Sequence, residues 1–209
     1  HNFTNEGGVG STYRFLKNIM GLWLVQECRR TWVAAGKNAS YAELTAAAAT
    51  ARPFGSLINP DNERFLAPGD VPARIATYCR ETSQEVPENE GAIIRCVLES
   101  LALRYRQVLE QLESALGRHL ETVHIVGGGI QNQMLCQLTA NATNRPVVAG
   151  PAEATAIGNL LVQAMGLGWV DSLEQIRQVV VDSFEPIHYG PAAAESDAWD
   201  EAYARFSSL

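Results

Sequence analysis

The stretch TVHIVGGGIQNQMLCQLTANATNRPVVAG, residues 122–150, decides the fold. A short β-rich run at 122–126 is followed by three glycines, a helical run and a second β-rich run at 145–150. A strand, a helix and a strand in this order form a crossover unit, whose two strands lie parallel in one sheet. The sequence therefore predicts an α/β domain with a partly parallel sheet.

The three consecutive glycines lie where the first predicted strand ends and a helix begins. Bare backbone there either turns tightly or lets a ligand approach more closely than a Cβ atom would allow. Ligands of α/β proteins often bind at such strand ends, beside helix N-termini. The dinucleotide pattern G-x-G-x-x-G does not fit, because Asn132 stands at its third glycine position. A tight turn without a ligand and a ligand-binding turn both remain open from these residues alone.

Elsewhere the chain is rich in predicted helix. Apolar periodicity predicts a long first helix from Tyr13 to about Ala35, after a strand at 3–6. Ser40 and Glu43 form a capping box for the next helix. The remaining predictions are an irregular connector at 52–72, further helices at about 72–81, 89–116, 151–168, 172–181 and 192–206, and an irregular segment at 182–191.

Composition excludes several classes of function. The chain has 209 residues, 46% of them apolar, and a net charge of −7. Because no cluster of Lys and Arg stands out, we expect no nucleic-acid partner. No apolar run approaches the ~18 residues of a membrane span, so we expect no membrane partner and a cytoplasmic location. The four cysteines and four histidines lack metal-ligand spacing, so no protein metal site is predicted.

One family resemblance covers nearly the whole chain. The segment GGGIQNQMLCQLTANATNRPVVAGPAEATAIGNLLVQA, 127–164, resembles the C-terminal nucleotide-binding half of the FGGY carbohydrate kinases. The segments at 2–30 and 58–72 extend the resemblance and are most similar to the family members that act on L-rhamnulose. It implies an actin-like ATPase fold of RNase H-like type, helix-rich, with a sheet that lacks its opening strands. Residues 1–209 would then be a C-terminal kinase domain truncated at its N-terminal edge.

The resemblance also implies an activity. Such kinases transfer the γ-phosphoryl group of ATP, with Mg²⁺, to a sugar hydroxyl, here giving L-rhamnulose 1-phosphate. In this family the sugar is bound mainly by an upstream domain, and the catalytic Asp lies upstream as well. We therefore assign no catalytic residue within these 209 residues and expect the chain alone to be inactive. Two alternatives stay open: another kinase of the family, acting on xylulose, fuculose or glycerol, and a non-catalytic actin-like binding module.

The resemblance places ATP contacts at two parts of the chain. At the glycine turn, Gly128 would contact the adenosine, Gly127 and Gly129 would permit its approach, and Asn132 would lie near the adenine. Asn18 and Gln26 would contact ATP from the predicted first helix. Eight helical residues separate this second pair, which corresponds to about 12 Å along the axis.

The resemblance raises one further hypothesis, a disulfide between Cys79 and Cys96. Disulfides are rare in the cytoplasm, so this pairing stays open. We expect Cys28 and Cys136 to be buried free thiols.

Overall fold

The computed structural model describes residues 2–209. These residues form eight α-helices and five strands. The helices are α1 (Trp23–Ala34), α2 (Tyr41–Thr50), α3 (Val71–Glu81), α4 (Glu90–Leu116), α5 (Gln133–Thr143), α6 (Ala154–Gly166), α7 (Leu173–Ser183) and α8 (Ser196–Phe206). The strands are β1 (Thr4–Gly7), β2 (Tyr13–Leu16), β3 (Val123–Ile125), β4 (Val147–Ala149) and β5 (Ile187–Tyr189). The described residues divide into two compact units, residues 2–119 with 197–209, and residues 120–196.

The first unit begins with a hairpin. Strands β1 and β2 pair antiparallel, with Thr4 opposite Leu16 and Gly7 opposite Tyr13. The prediction of one helix from Tyr13 to Ala35 was therefore wrong in its first half, since the helix begins only at Trp23. The apolar side chains of β2 continue the apolar run of the helix, and periodicity alone merged the two elements.

Helix α4 forms the core of the first unit. Its buried side chains include Ile94, Leu98 and Leu101, all fully inaccessible to solvent. The Asn89 side chain accepts a hydrogen bond from the N–H of Ala92 at 2.9 Å, which begins the helix. Gly117 ends it with a φ of 64°, a left-handed conformation that suits glycine. Both ends confirm the predicted helix boundaries.

The second unit contains a three-stranded sheet in the order β3, β4, β5. Strands β3 and β4 are parallel, as the crossover pattern predicts, and helix α5 connects them. The core lies between this helix and the central strand, where Cys136, Ala140 and Val147 are fully buried.

Strand β5 corrects one prediction for the second unit. It pairs antiparallel with β4, although the sequence predicted no strand within 182–191. The strand is only three residues long and two of them are exposed, so it lacks a readable hydrophobic pattern.

All four cysteines are buried free thiols, which confirms the prediction for Cys28 and Cys136. Helices α3 and α4 do bring Cys79 and Cys96 together, because the two thiols hydrogen-bond to each other. This hydrogen bond lowers the pKa of Cys79, and the same bond together with burial raises the pKa of Cys96.

Candidate functional site

The glycine turn of the second unit follows directly after β3. The N–H of Gly127 donates to the carbonyl oxygen of Pro151 at 3.1 Å. The N–H of Gly150 donates to the carbonyl oxygen of Ile125 at 2.9 Å. These two bonds tie together the loops that follow β3 and β4. The carboxyl ends of two parallel strands therefore meet at one edge of the sheet, where α/β proteins bind ligands.

The glycines of this turn differ in why the position lacks a side chain. Gly127 has a φ of 78°, which disfavours any residue with a Cβ atom. A Cβ atom added at Gly129 would lie 3.8 Å from the side chain of Ile125, which is an ordinary van der Waals contact. A Cβ atom added at Gly128 would have no neighbouring atom within 4 Å, and the φ of Gly128 is not in the left-handed range. Neither packing nor backbone conformation therefore requires glycine at position 128, which is exposed.

Asn132 has a structural role that the sequence analysis missed. It is the N-cap of α5, and its Oδ1 accepts a hydrogen bond from the N–H of Leu135 at 2.9 Å. The signal was present in the sequence, since Asn directly before a helical run is a preferred cap. The residue is half-buried at the end of the glycine turn, and the 3₁₀ turn Gly127–Gln131 leads into it.

The structure places the other two predicted ATP contacts in the first unit. Asn18 is exposed and lies in an irregular segment between β2 and α1, residues 17–22, rather than on a helix. The predicted spacing of about 12 Å between Asn18 and Gln26 along one helix was therefore wrong. The cause is the same as for β2, because apolar periodicity merged the residues before Trp23 with α1. Gln26 does lie on α1 and is exposed.

Asn18 lines a cavity of about 580 Å³ in the first unit. The cavity is also lined by Lys17, Asp61 and Arg104. Asp61 accepts hydrogen bonds from the guanidinium of Arg104 at 2.8 Å and from the N–H of Met20 at 2.8 Å. Burial and the nearby Arg104 lower the pKa of Lys17, and Asp61 opposes that shift. This arrangement was not predicted, because Asp61 lies within the connector at 52–72, which was predicted only as irregular.

Neither a metal cluster nor a membrane-spanning helix is found in the described part of the chain. Within residues 2–209, no group of three or more His, Cys, Asp or Glu side chains is arranged to hold a metal ion. Over the same range, no helix combines the length and apolarity needed to cross a bilayer.

Comparison with known families assigns the chain. Residues 1–167 match the description "FGGY family of carbohydrate kinases, C-terminal domain". The chain belongs to this family. The family assignment confirms the resemblance seen in the sequence, including its C-terminal position within a carbohydrate kinase.

Curated relatives of the chain include rhamnulokinases. The rhamnulokinase of Bacteroides thetaiotaomicron is 50% identical over 207 residues, covering 99% of this chain and 41% of the relative. That of Pectobacterium carotovorum is 45% identical over 209 residues, covering 100% of this chain and 41% of the relative. The chain thus spans 41% of the length of these relatives and matches their C-terminal part.

Similar solved structures show the fold. A xylulose kinase from Rhodospirillum rubrum has a TM-score of 0.69 at 22% identity, over 100% of this chain and 41% of that one. A glycerol kinase from Plasmodium falciparum, solved with ADP, has a TM-score of 0.59 at 15% identity, over 87% of this chain and 36% of that one. These similarities confirm the predicted actin-like ATPase fold, helix-rich and with a small mixed sheet.

Proposed function

We propose that this chain is the nucleotide-binding portion of a kinase that transfers the γ-phosphoryl group of ATP to L-rhamnulose. The product would be L-rhamnulose 1-phosphate, and the enzyme would act in the cytoplasm. Membership of a carbohydrate-kinase family and the identity of 50% with a rhamnulokinase support this proposal. The sugar site and the catalytic Asp would lie in the part of such kinases that precedes the matched region.

The observation that carries the nucleotide assignment is the open space at Gly128. A glycine that needs neither a left-handed φ nor close packing offers bare peptide planes to a flat ligand. The adenosine of ATP would lie against this turn, and Gly127 and Gly129 would permit its approach because neither carries a side chain. Asn132 would keep its capping bond to Leu135 while its amide faces the adenine region.

The strand ends provide a second reason for a phosphorylated ligand. Helix α6 begins at Ala154, and its N-cap residue Glu153 makes no side-chain capping bond. The carbonyl oxygen of Ala152, just before this helix, is 3.9 Å from the Cβ position of Gly127. The N-terminus of α6 therefore lies beside the glycine turn. Backbone N–H groups at helix N-termini bind anions favourably, and a phosphate group is such an anion.

The roles of Asn18 and Gln26 are part of the same proposal. Both side chains are exposed on the first unit, so both are accessible to a ligand. Asn18 would donate or accept a hydrogen bond to ATP from the segment before α1, and Gln26 would do so from α1. Substitution of either residue by alanine should raise the Michaelis constant for ATP and leave that for the sugar nearly unchanged.

The experiment uses the complete kinase polypeptide that carries these residues. Gly128→Val should raise the Michaelis constant for ATP by about tenfold or more, equivalent to a loss of about 1.4 kcal/mol of binding free energy. Gly190→Val is the matched control, because Gly190 is also exposed, with no atom within 4 Å of its Cβ position. An unchanged Michaelis constant for ATP in a folded Gly128→Val enzyme would remove the turn from the nucleotide site.

The sugar is tested separately. The ratio of kcat to KM should be highest for L-rhamnulose among a panel that also contains xylulose, fuculose and glycerol. A preference for another member of the panel would transfer the chain to a different branch of the same family. Absence of phosphoryl transfer to every sugar, with ATP binding retained, would favour a binding module instead.

A further inference from the structure

Asp61 joins two distant parts of the first unit at the cavity that Asn18 lines. Its Oδ1 accepts a hydrogen bond from the backbone N–H of Met20 at 2.8 Å. Its Oδ2 accepts a hydrogen bond from Nε of Arg104 at 2.8 Å, and Nη2 of Arg104 lies 2.8 Å from the same oxygen in the ion pair. One carboxylate thus connects the irregular segment before α1 with helix α4, which forms the core of the unit.

Asn18 lies between two such anchors. The residue before it, Lys17, donates from Nζ to Oε1 of Gln111 on α4 at 3.2 Å. Two residues after it, Met20 is held by Asp61 and through it by Arg104, also on α4. The short irregular segment is therefore fixed on both sides of an exposed side chain, and both anchors end on the same rigid helix.

The Asp61–Arg104 pair is well suited to this task. Only 14% of the Arg104 side chain and 26% of the Asp61 side chain are exposed, so solvent screens the pair less than an ordinary surface pair. The two carboxylate oxygens have separate partners, because Oδ2 pairs with Arg104 and Oδ1 accepts from the N–H of Met20, and hydrogen bonds to an ionised carboxylate are stronger than neutral ones. The backbone N–H of Asp61 donates to Oδ1 of Asn59 at 3.1 Å, so the main chain that carries this side chain is held within its own turn.

We propose that Asp61, oriented by Arg104, is a positioning residue that fixes the backbone at Met20 and so holds Asn18 ready to contact the nucleotide. This inference rests on the proposed contact between Asn18 and ATP. Without Asp61 the segment 17–22 gains conformational freedom, and ATP must then order it on binding, which weakens affinity. The effect of Asp61 on ATP should pass through Asn18 and should disappear when Asn18 is truncated.

The test is a double-mutant cycle in the complete kinase. Asp61→Ala should raise the Michaelis constant for ATP by about fivefold, with kcat and the Michaelis constant for the sugar within about twofold of wild type. In an Asn18→Ala background, Asp61→Ala should not raise the Michaelis constant for ATP any further. The fall in melting temperature caused by Asp61→Ala should be the same in both backgrounds, which separates positioning from stability.

Three further variants sharpen the test. Asp200→Ala is the matched control for Asp61→Ala, because Asp200 also pairs with an arginine of α4, Arg106, at 2.6 Å but does not line the cavity. It should leave the Michaelis constant for ATP unchanged. Asp61→Asn keeps an acceptor for Met20 and should restore part of the ATP affinity. If Asp61→Ala does not fold, Arg104→Lys loosens the same carboxylate and should show the same dependence on Asn18.

Independent effects of the two substitutions would overturn the inference. If the fold-increases in the Michaelis constant for ATP caused by Asp61→Ala and Asn18→Ala multiply in the double variant, Asp61 does not act through Asn18. An Asn18→Ala enzyme with a normal Michaelis constant for ATP would overturn it as well. Neither result bears on the glycine turn, since Gly128→Val decides the nucleotide assignment there on its own.

Discussion

Gly91 offers a quantitative test of how α2 packs on α4. A Cβ atom at this position would lie 2.7 Å from the carbonyl oxygen and 2.9 Å from the carbonyl carbon of Ala47. Both are backbone atoms of α2, so no side chain can rotate away, and the helices themselves must move apart. Overpacking of this kind costs about 1–3 kcal/mol. The helix propensity of alanine returns at most about 1 kcal/mol, and less in a first turn.

If the gain in a first turn is about 0.5 kcal/mol, Gly91→Ala should lower the free energy of unfolding by about 0.5–2.5 kcal/mol, the difference between those two effects. The assay is urea denaturation followed by circular dichroism, in which the midpoint falls while the m-value stays constant. Gly158→Ala is the matched control, because that helical glycine has no atom within 4 Å of its Cβ position. It should stabilise by about 0.5–1 kcal/mol. If Gly91→Ala raised the free energy of unfolding as much as Gly158→Ala, the close contact between α2 and α4 would be refuted.

Three shorter predictions concern other contacts. Asn132→Ala should lower the free energy of unfolding by about 1 kcal/mol through loss of the α5 cap, measured in the same urea titration. Burial raises the pKa of Glu99, so the folded protein holds that proton more tightly than the unfolded chain, and stability contributed by Glu99 falls as pH rises above the ordinary carboxyl range. Glu99→Gln should thus gain stability relative to wild type as pH rises, and parallel pH profiles would contradict this. Burial also raises the pKa of Cys28 to about 12 and all four thiols are buried, so a thiol reagent at pH 8 should label none in the native protein and four in urea. Labelling of only two in urea, before reduction, would instead support the Cys79–Cys96 disulfide.

The second unit was largely predictable because its signals are local. The change from period two to helical period at 122–150 predicted both parallel strands and the helix between them. Gly127 also follows from the sequence, since a strand that turns directly into a helix often needs a left-handed residue. Strand β5 was not predictable, because only its pairing with β4 defines it.

The first unit was harder because its important contacts join distant residues. Asp61 is 41 positions from Met20 and 43 from Arg104, so no local pattern marks the carboxylate that joins them. The hairpin of β1 and β2 was hidden by apolar residues that continue the period of α1. That merging placed Asn18 on a helix, although the residue lies in the irregular segment before it.

The most direct measurement is a crystal structure of the complete kinase polypeptide with ADP bound. The adenosine should lie in van der Waals contact with the backbone of Gly128, with ring atoms about 4 Å from its Cα. ADP bound away from the turn, or protein side chains filling the space above Gly128, would contradict it.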